Sequence, residues 1–125
     1  MVNDYSLLGQ NIKIIDIPNF NKLNSINIIC SKTTNLNKNA DSLLIHNLEK
    51  DINGTGAKFH LFIKRDGTIE QGININSVKY NLVICYAGGV TLKNGKLVNV
   101  PNDLNDKQLN TIKQILTNLK VNNKR

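Results

Sequence analysis

The chain has 125 residues, enough for one domain around one core and too few for a comfortable second. Apolar residues make up 40% and charged residues 20%, as in globular proteins, and no apolar run reaches the roughly 18 residues of a membrane-spanning helix. The net charge of +7 comes mainly from scattered lysines, which read first as solvated surface, with an acidic partner surface, a cell-wall polymer or nucleic acid as the alternatives; the lack of a basic stripe with interleaved aromatics argues against a nucleic-acid module.

Residues 1–10 read as a loose arm with an apolar pair, Leu7 and Leu8, and without the basic start and apolar stretch of a signal peptide. Residues 11–17, "NIKIIDI", are dense in β-branched side chains and predict a strand ended by Pro18. Residues 25–30, "SINIIC", form a continuous apolar run, which predicts a central strand buried on both faces. After a polar loop, residues 40–54 predict a helix with Leu44, Ile45 and Leu48 on its apolar face, Asn39 or Asp41 as cap and Gly54 at its end.

Residues 58–72, "KFHLFIKRDGTIEQG", predict a hairpin turning at Asp66-Gly67, because glycine accepts a positive φ without penalty. "NLVICYAGG" at 81–89 predicts another apolar strand, and the stretch around Asn94-Gly95 a turn-rich loop. The last element, about 105–120, repeats Leu109, Ile112, Leu116 and Leu119 at helical spacing, with Asn105 and Gln108 as a capping box and Leu104 as a staple against Leu109. The order β-β-α-β-β-β-α implies an α/β fold, a single-domain mixed β-sheet flanked by helices.

Few residues offer chemistry. Cys30 and Cys85 lie inside apolar runs and read as buried free thiols, without metal or redox spacing. His46 on the helix and His60 on the hairpin strand read as structural histidines, and two histidines without a third ligand make a poor zinc site. A Cys30–His60 nucleophile pair lacks an orienting third group. Asp66 and Glu70 read as a solvated hairpin edge.

The hairpin "FHLFIKRDGTIEQG", the preceding helix with Ile45-His46, the strand "LVICYAGG" and the capped last helix together resemble the zinc-dependent N-acetylmuramoyl-L-alanine amidases, which include phage-lysozyme-type amidases and the peptidoglycan recognition proteins. The resemblance runs from about residue 12 to 120, with the hairpin its most specific part. It implies a Zn²⁺ held by three protein ligands with an open position for water. The first ligand, a histidine, would fall on the strand at 25–30, where Ile29 stands. The family's tyrosine at the start of the hairpin strand is matched by Phe59, which lacks the hydroxyl that would stabilise an oxyanion. The other two ligands would follow the last helix, where this sequence ends at Arg125.

The resemblance therefore implies a degenerate, C-terminally shortened member of the family: an N-terminal arm at 1–10, an amidase-like domain at 11–125, no catalytic residue, no metal and no cofactor. A vestigial groove would be lined by Ile29, Cys30, Phe59 and His60, and covered by the arm or by a partner chain. The expected role is a structural or protein-binding component, encoded by a phage and located in the virion or the host cytoplasm. Alternatives are a peptidoglycan-binding module, an active amidase, or a regulator that binds a protein such as RNA polymerase. The richness in asparagine, isoleucine and lysine fits an AT-rich genome.

Overall fold

A computed structural model describes residues 5–17, 22–32, 41–54, 56, 58–73, 78, 81–100 and 104–123. In chain order these give strand β1 (Ser25–Cys30), helix α1 (Ser42–Asn53), strands β2 (Leu61–Ile63), β3 (Ile69–Gln71), β4 (Asn81–Tyr86), β5 (Val90–Lys93) and β6 (Lys96–Asn99), and helix α2 (Asp106–Asn123). The main sheet has the order β1-β4-β2-β3, with β1 and β2 parallel to β4 and β3 antiparallel to β2. The protein is thus a small mixed α/β domain with a helix packed on each face of the sheet. None of the described helices is long and apolar enough to cross a membrane.

Strand alternation sorts the apolar side chains into two cores. Leu61, Ile63, Ile69, Leu82, Ile84 and Tyr86 face α2 and pack with its Ile112 and Ile115. Phe62 and Cys85 face α1 and pack with its Ile45, with Phe59 and with Ala87. β4 is buried along most of its length, as expected of a strand between two parallel neighbours under two helices.

The helix boundaries follow local signals. Asp41 caps α1 by accepting from the Leu44 amide at 2.8 Å, and Gly54 ends it in the left-handed region at φ 72°. Asn105 and Gln108 form a reciprocal capping box at α2, with the Gln108 amide on Asn105 Oδ1 at 2.9 Å and the Asn105 amide on Gln108 Oε1 at 3.1 Å. Gln108 is fully buried, and its Nε2 also donates to the carbonyls of Ala87 (2.9 Å) and Ile63 (3.3 Å), tying α2 to two strands' ends.

The β2–β3 turn is a three-residue loop with Gly67 at φ 88°, closed by Gly67 N donating to Lys64 O at 2.9 Å and Lys64 N to Thr68 O at 3.0 Å. Asp66 Oδ1 accepts from the Thr68 hydroxyl (2.7 Å) and amide (3.0 Å), and these bonds, the hydroxyl's first, hold its carboxyl below the ordinary range.

Several expectations are corrected. Residues 11–17 do not form a strand: Asn11 makes one bridge to Glu70, and Ile14–Asp16 turn into a 3-10 helix that drops Ile17 into the core. Among the described strands β1 is not central but stands at the edge of the sheet, with Ile28 42% and Ile29 43% exposed. The loop around Asn94-Gly95 is a β5–β6 hairpin, its two-residue turn formed by Asn94 at φ 53° and Gly95 at φ 78°. On α1, Ile45 and His46 are buried while Leu48 is exposed; on α2, Gln108, Thr111, Ile112 and Ile115 are buried while Leu109 and Leu116 are exposed. Leu119, the last member of the expected stripe, has a side chain outside the described set, as do Asn39 and Pro18.

The arm, too, is anchored in residues 5–10. Gly9 N donates to Gln71 O at 2.9 Å, Gln71 N to Gln10 O at 2.8 Å and Ile12 N to Ile69 O at 3.0 Å, so the segment runs along the outer side of β3. Leu7 packs on the α2-side core, and Tyr5 and Leu8 on the α1-side core. The arm therefore lies at the opposite edge of the sheet from β1.

Candidate functional site

On the α1 face the strand registers line up one row of side chains: Ile29, Cys85, Phe62 and Glu70. α1 is fixed over the Glu70 end of that row. Glu70 Oε1 accepts from the Ser42 amide and the Ser42 hydroxyl, both at 2.9 Å, which places a carboxylate at the helix N-terminus where the peptide dipoles favour it. Glu70 is buried, not part of a solvated hairpin edge as its sequence context suggested. Asp66, the other member of that pair, is exposed as expected.

Toward β1 the cover runs out. A groove of about 290 Å³ opens there, floored by Ile29, Cys85 and Phe59 and walled by Ile45 and Glu49 of α1. Its rim is the segment from Cys30 to Lys32 on one side and Lys58 on the other. A smaller cavity of about 210 Å³ continues past Cys30 and Lys32 to Tyr86, Gly89 and Val100 at the base of the β5–β6 hairpin. Gly89 has φ 104°, and a Cβ built there would collide with Cys30 Sγ. Lys32, shared by both cavities, has φ 59°, uncommon for a residue with a side chain.

The structure brings together three of the four sequence-derived groove residues. Ile29, Cys30 and Phe59 line the cavity. Phe59 is 2% exposed and its ring stands 5.5 Å from that of Phe62, whereas Ile29 is far more open than a buried-strand residue would be. His60 is not in the lining. Its amide donates to Val83 O at 2.9 Å, and its Nδ1 accepts from Val83 N at 3.0 Å, so the imidazole takes the place of a strand carbonyl. That bond requires an unprotonated Nδ1, and burial pushes the pKa below the ordinary value. His46 packs against Tyr5, ring centroids 4.5 Å apart, and burial and then the Lys50 ammonium lower its pKa.

Sequence reasoning missed Lys32, Glu49 and Lys58 as groove residues. Lys58 adjoins Phe59, and Glu49 lies one turn after Ile45, so both were within reach of a helical and strand projection from residues already singled out.

The donor set does not suit the zinc that the amidase resemblance implies. The floor positions Ile29 and Phe59 are hydrocarbon. Cys30 and Cys85 are free thiols on neighbouring strands, and alternation puts them on opposite faces of the sheet. Burial, then the neighbouring Cys30 and Glu49, push the Cys85 thiol pKa up, so it stays protonated. Among the described residues no group of three His, Cys, Asp or Glu side chains converges on one point. Compared with known proteins, the chain matches no family model and no curated sequence.

Proposed function

We propose that this chain is a non-catalytic protein with an amidase-like body that binds a partner protein through the groove between β1 and α1. One observation supports the reading above the rest: the groove floor offers Ile29 and Phe59 where the resemblance calls for a ligand imidazole and a catalytic phenol, and two lysines rim it. Such a floor holds an apolar side chain by burial, and such a rim attracts an acidic neighbour. The composition fits a compact AT-rich genome, and the amidase resemblance points to a phage as the source, with a virion or the host cytoplasm as its place of work.

The test is direct. Purified protein is assayed for bound zinc and for release of soluble peptide or sugar from peptidoglycan, and purified virions are probed for the chain. The expected result is no stoichiometric zinc, no release, and the chain present among virion proteins. Chelator-sensitive turnover would overturn the reading in favour of an active amidase. Sedimentation with purified cell wall would replace it with a peptidoglycan-binding module.

A further inference from the structure

Among the described residues β1 pairs with β4 along one side only. The Ser31 amide donates to Tyr86 O at 2.9 Å, which fixes the phase of the parallel ladder. By alternation, the N–H and C=O groups of Ile26, Ile28 and Cys30 point away from β4, and no described strand meets them. Proteins usually blunt such an edge with a charge, a proline or a bulge. The stretch Ser25–Cys30 has none of these, keeps an uninterrupted register, and exposes Ile28 and Ile29, one toward each face.

Charge decides what fits there. Lys22 and Lys32 are exposed beyond the two ends of β1, and exposed Lys58 rims the groove beside Ile29. Glu49, the carboxylate of the groove wall, is itself engaged in an interaction. If a second copy paired with β1 in antiparallel fashion, Lys22 of each would approach Lys32 of the other. A parallel pairing would bring like lysines together, and either joins two bodies of net charge +7.

We infer that β1 is a strand-addition edge for an extended acidic segment of a partner protein. The segment's backbone bonds to Ile26, Ile28 and Cys30, its aliphatic side chains pack on Ile28 and Ile29, and its carboxylates reach Lys22, Lys32 and Lys58. This deepens the protein-binding reading above and rests on it.

The experiment titrates the isotopically labelled full chain with a blocked peptide of four central valines flanked by glutamates at both ends, and with the same peptide carrying lysine for glutamate. The acidic peptide shifts the amide resonances of 25–32 and slows exchange at Ile26, Ile28 and Cys30; the lysine peptide does neither. Ile28→Pro abolishes binding, because the amide it removes faces outward and takes nothing from β4. Ile28→Glu, at an exposed position, gives the same loss without a backbone change. Lys32→Glu with Lys58→Glu weakens binding tenfold or more. Failure of the acidic peptide to bind, equal binding of both peptides, or shifts centred away from β1 would overturn the inference. So would a stable dimer in sedimentation with the β1 amides already protected, since the second copy would then be the occupant. Zinc-dependent peptidoglycan cleavage would remove the non-catalytic reading and leave the edge result standing; loss of edge binding alone would leave that reading intact.

Discussion

The two faces of one sheet are closed to different depths. Against α2, Leu61, Ile63, Leu82 and Ile84 are 0–1% exposed, and the helix meets them with Ile112 and Ile115. At β1 both faces thin, with Ile28 42% and Ile29 43% exposed, but the α2-side core still takes Ile26 and Cys30, whereas the α1-side row, covered at Glu70, Phe62 and Cys85, takes no β1 residue into its core among the described residues. The difference traces to how each helix is anchored. α2 is tied through Gln108 to Ile63 and Ala87, at the ends of β2 and β4 in the middle of the sheet. α1 is tied through Ser42 to Glu70 on β3, at the far side from β1. A helix moored off-centre leaves a strip of sheet uncovered, and that strip is the groove.

The contrast breaks most visibly under truncation. Ile115→Ala, at 1% exposure on the closed face, is expected to cost about 2–5 kcal/mol, whereas Ile29→Ala is expected to cost less than about 1 kcal/mol because much of its side chain is already in water. Urea unfolding of both variants measures the pair, and equal losses would mean that the groove floor is closed in solution.

A second, smaller effect sharpens the boundary between groove and hairpin base. Gly89→Ala forces a side chain at φ 104° against Cys30, and is expected to cost about 1–3 kcal/mol. Adding Cys30→Ala should recover only part of that loss, because the backbone strain persists and the Cys30 Cβ is itself 2.8 Å from the new atom. Full recovery would show that the sulfur alone sets the spacing.

The smallest effect is on pH. His46 and His60 both have folded-state pKa values below the ordinary 6.5, so the unfolded chain binds more protons than the folded one once the pH falls under that value. Their contribution to stability is complete above 6.5 and is lost as pH falls through the lowered values. The urea midpoint should therefore decline on acidification, and decline less in His60→Gln, whose side-chain oxygen can accept from Val83 without titrating. An unchanged decline would assign the dependence to His46 and the carboxylates.

What the sequence made legible was local. The Asp41 cap, Gly54, the Asn105–Gln108 box and the Asp66-Gly67 turn each depend on a few adjacent residues, and each stands as read. What it hid depended on distant partners. "SINIIC" has the composition of a doubly buried strand, yet its burial is decided by the described sheet, which ends at β1. Glu70 looked solvated because its neighbours in sequence are turn residues, while Ser42, 28 positions away, is what buries it. On α2, Leu109 and Leu116 define a plausible stripe, but the helix is rotated to bury Gln108 beside Ile112 and Ile115, and a glutamine does not register in an apolar pattern. Ile29 and Phe59 were found together because a resemblance linked them; Glu49 and Lys58 come to the groove through the packing of α1 and the entry to β2.

Gln108 also ties residues far apart along the chain, 21 positions to Ala87 and 45 to Ile63. Among the described strands β1 joins only β4, with Ser25 in register with Asn81, 56 residues on. Even then the Ala87 carbonyl waits for the first turn of α2, while that of Ile63, which already accepts from the Ala87 amide at 3.0 Å, gains Gln108 as a second donor. A nascent chain stalled before Asp106 would hold its strands with the α2 face bare and the Ala87 carbonyl without the amide that later seals it. α2 is thus the element that closes the second face of the sheet, while the α1-side core is built from residues that all precede it.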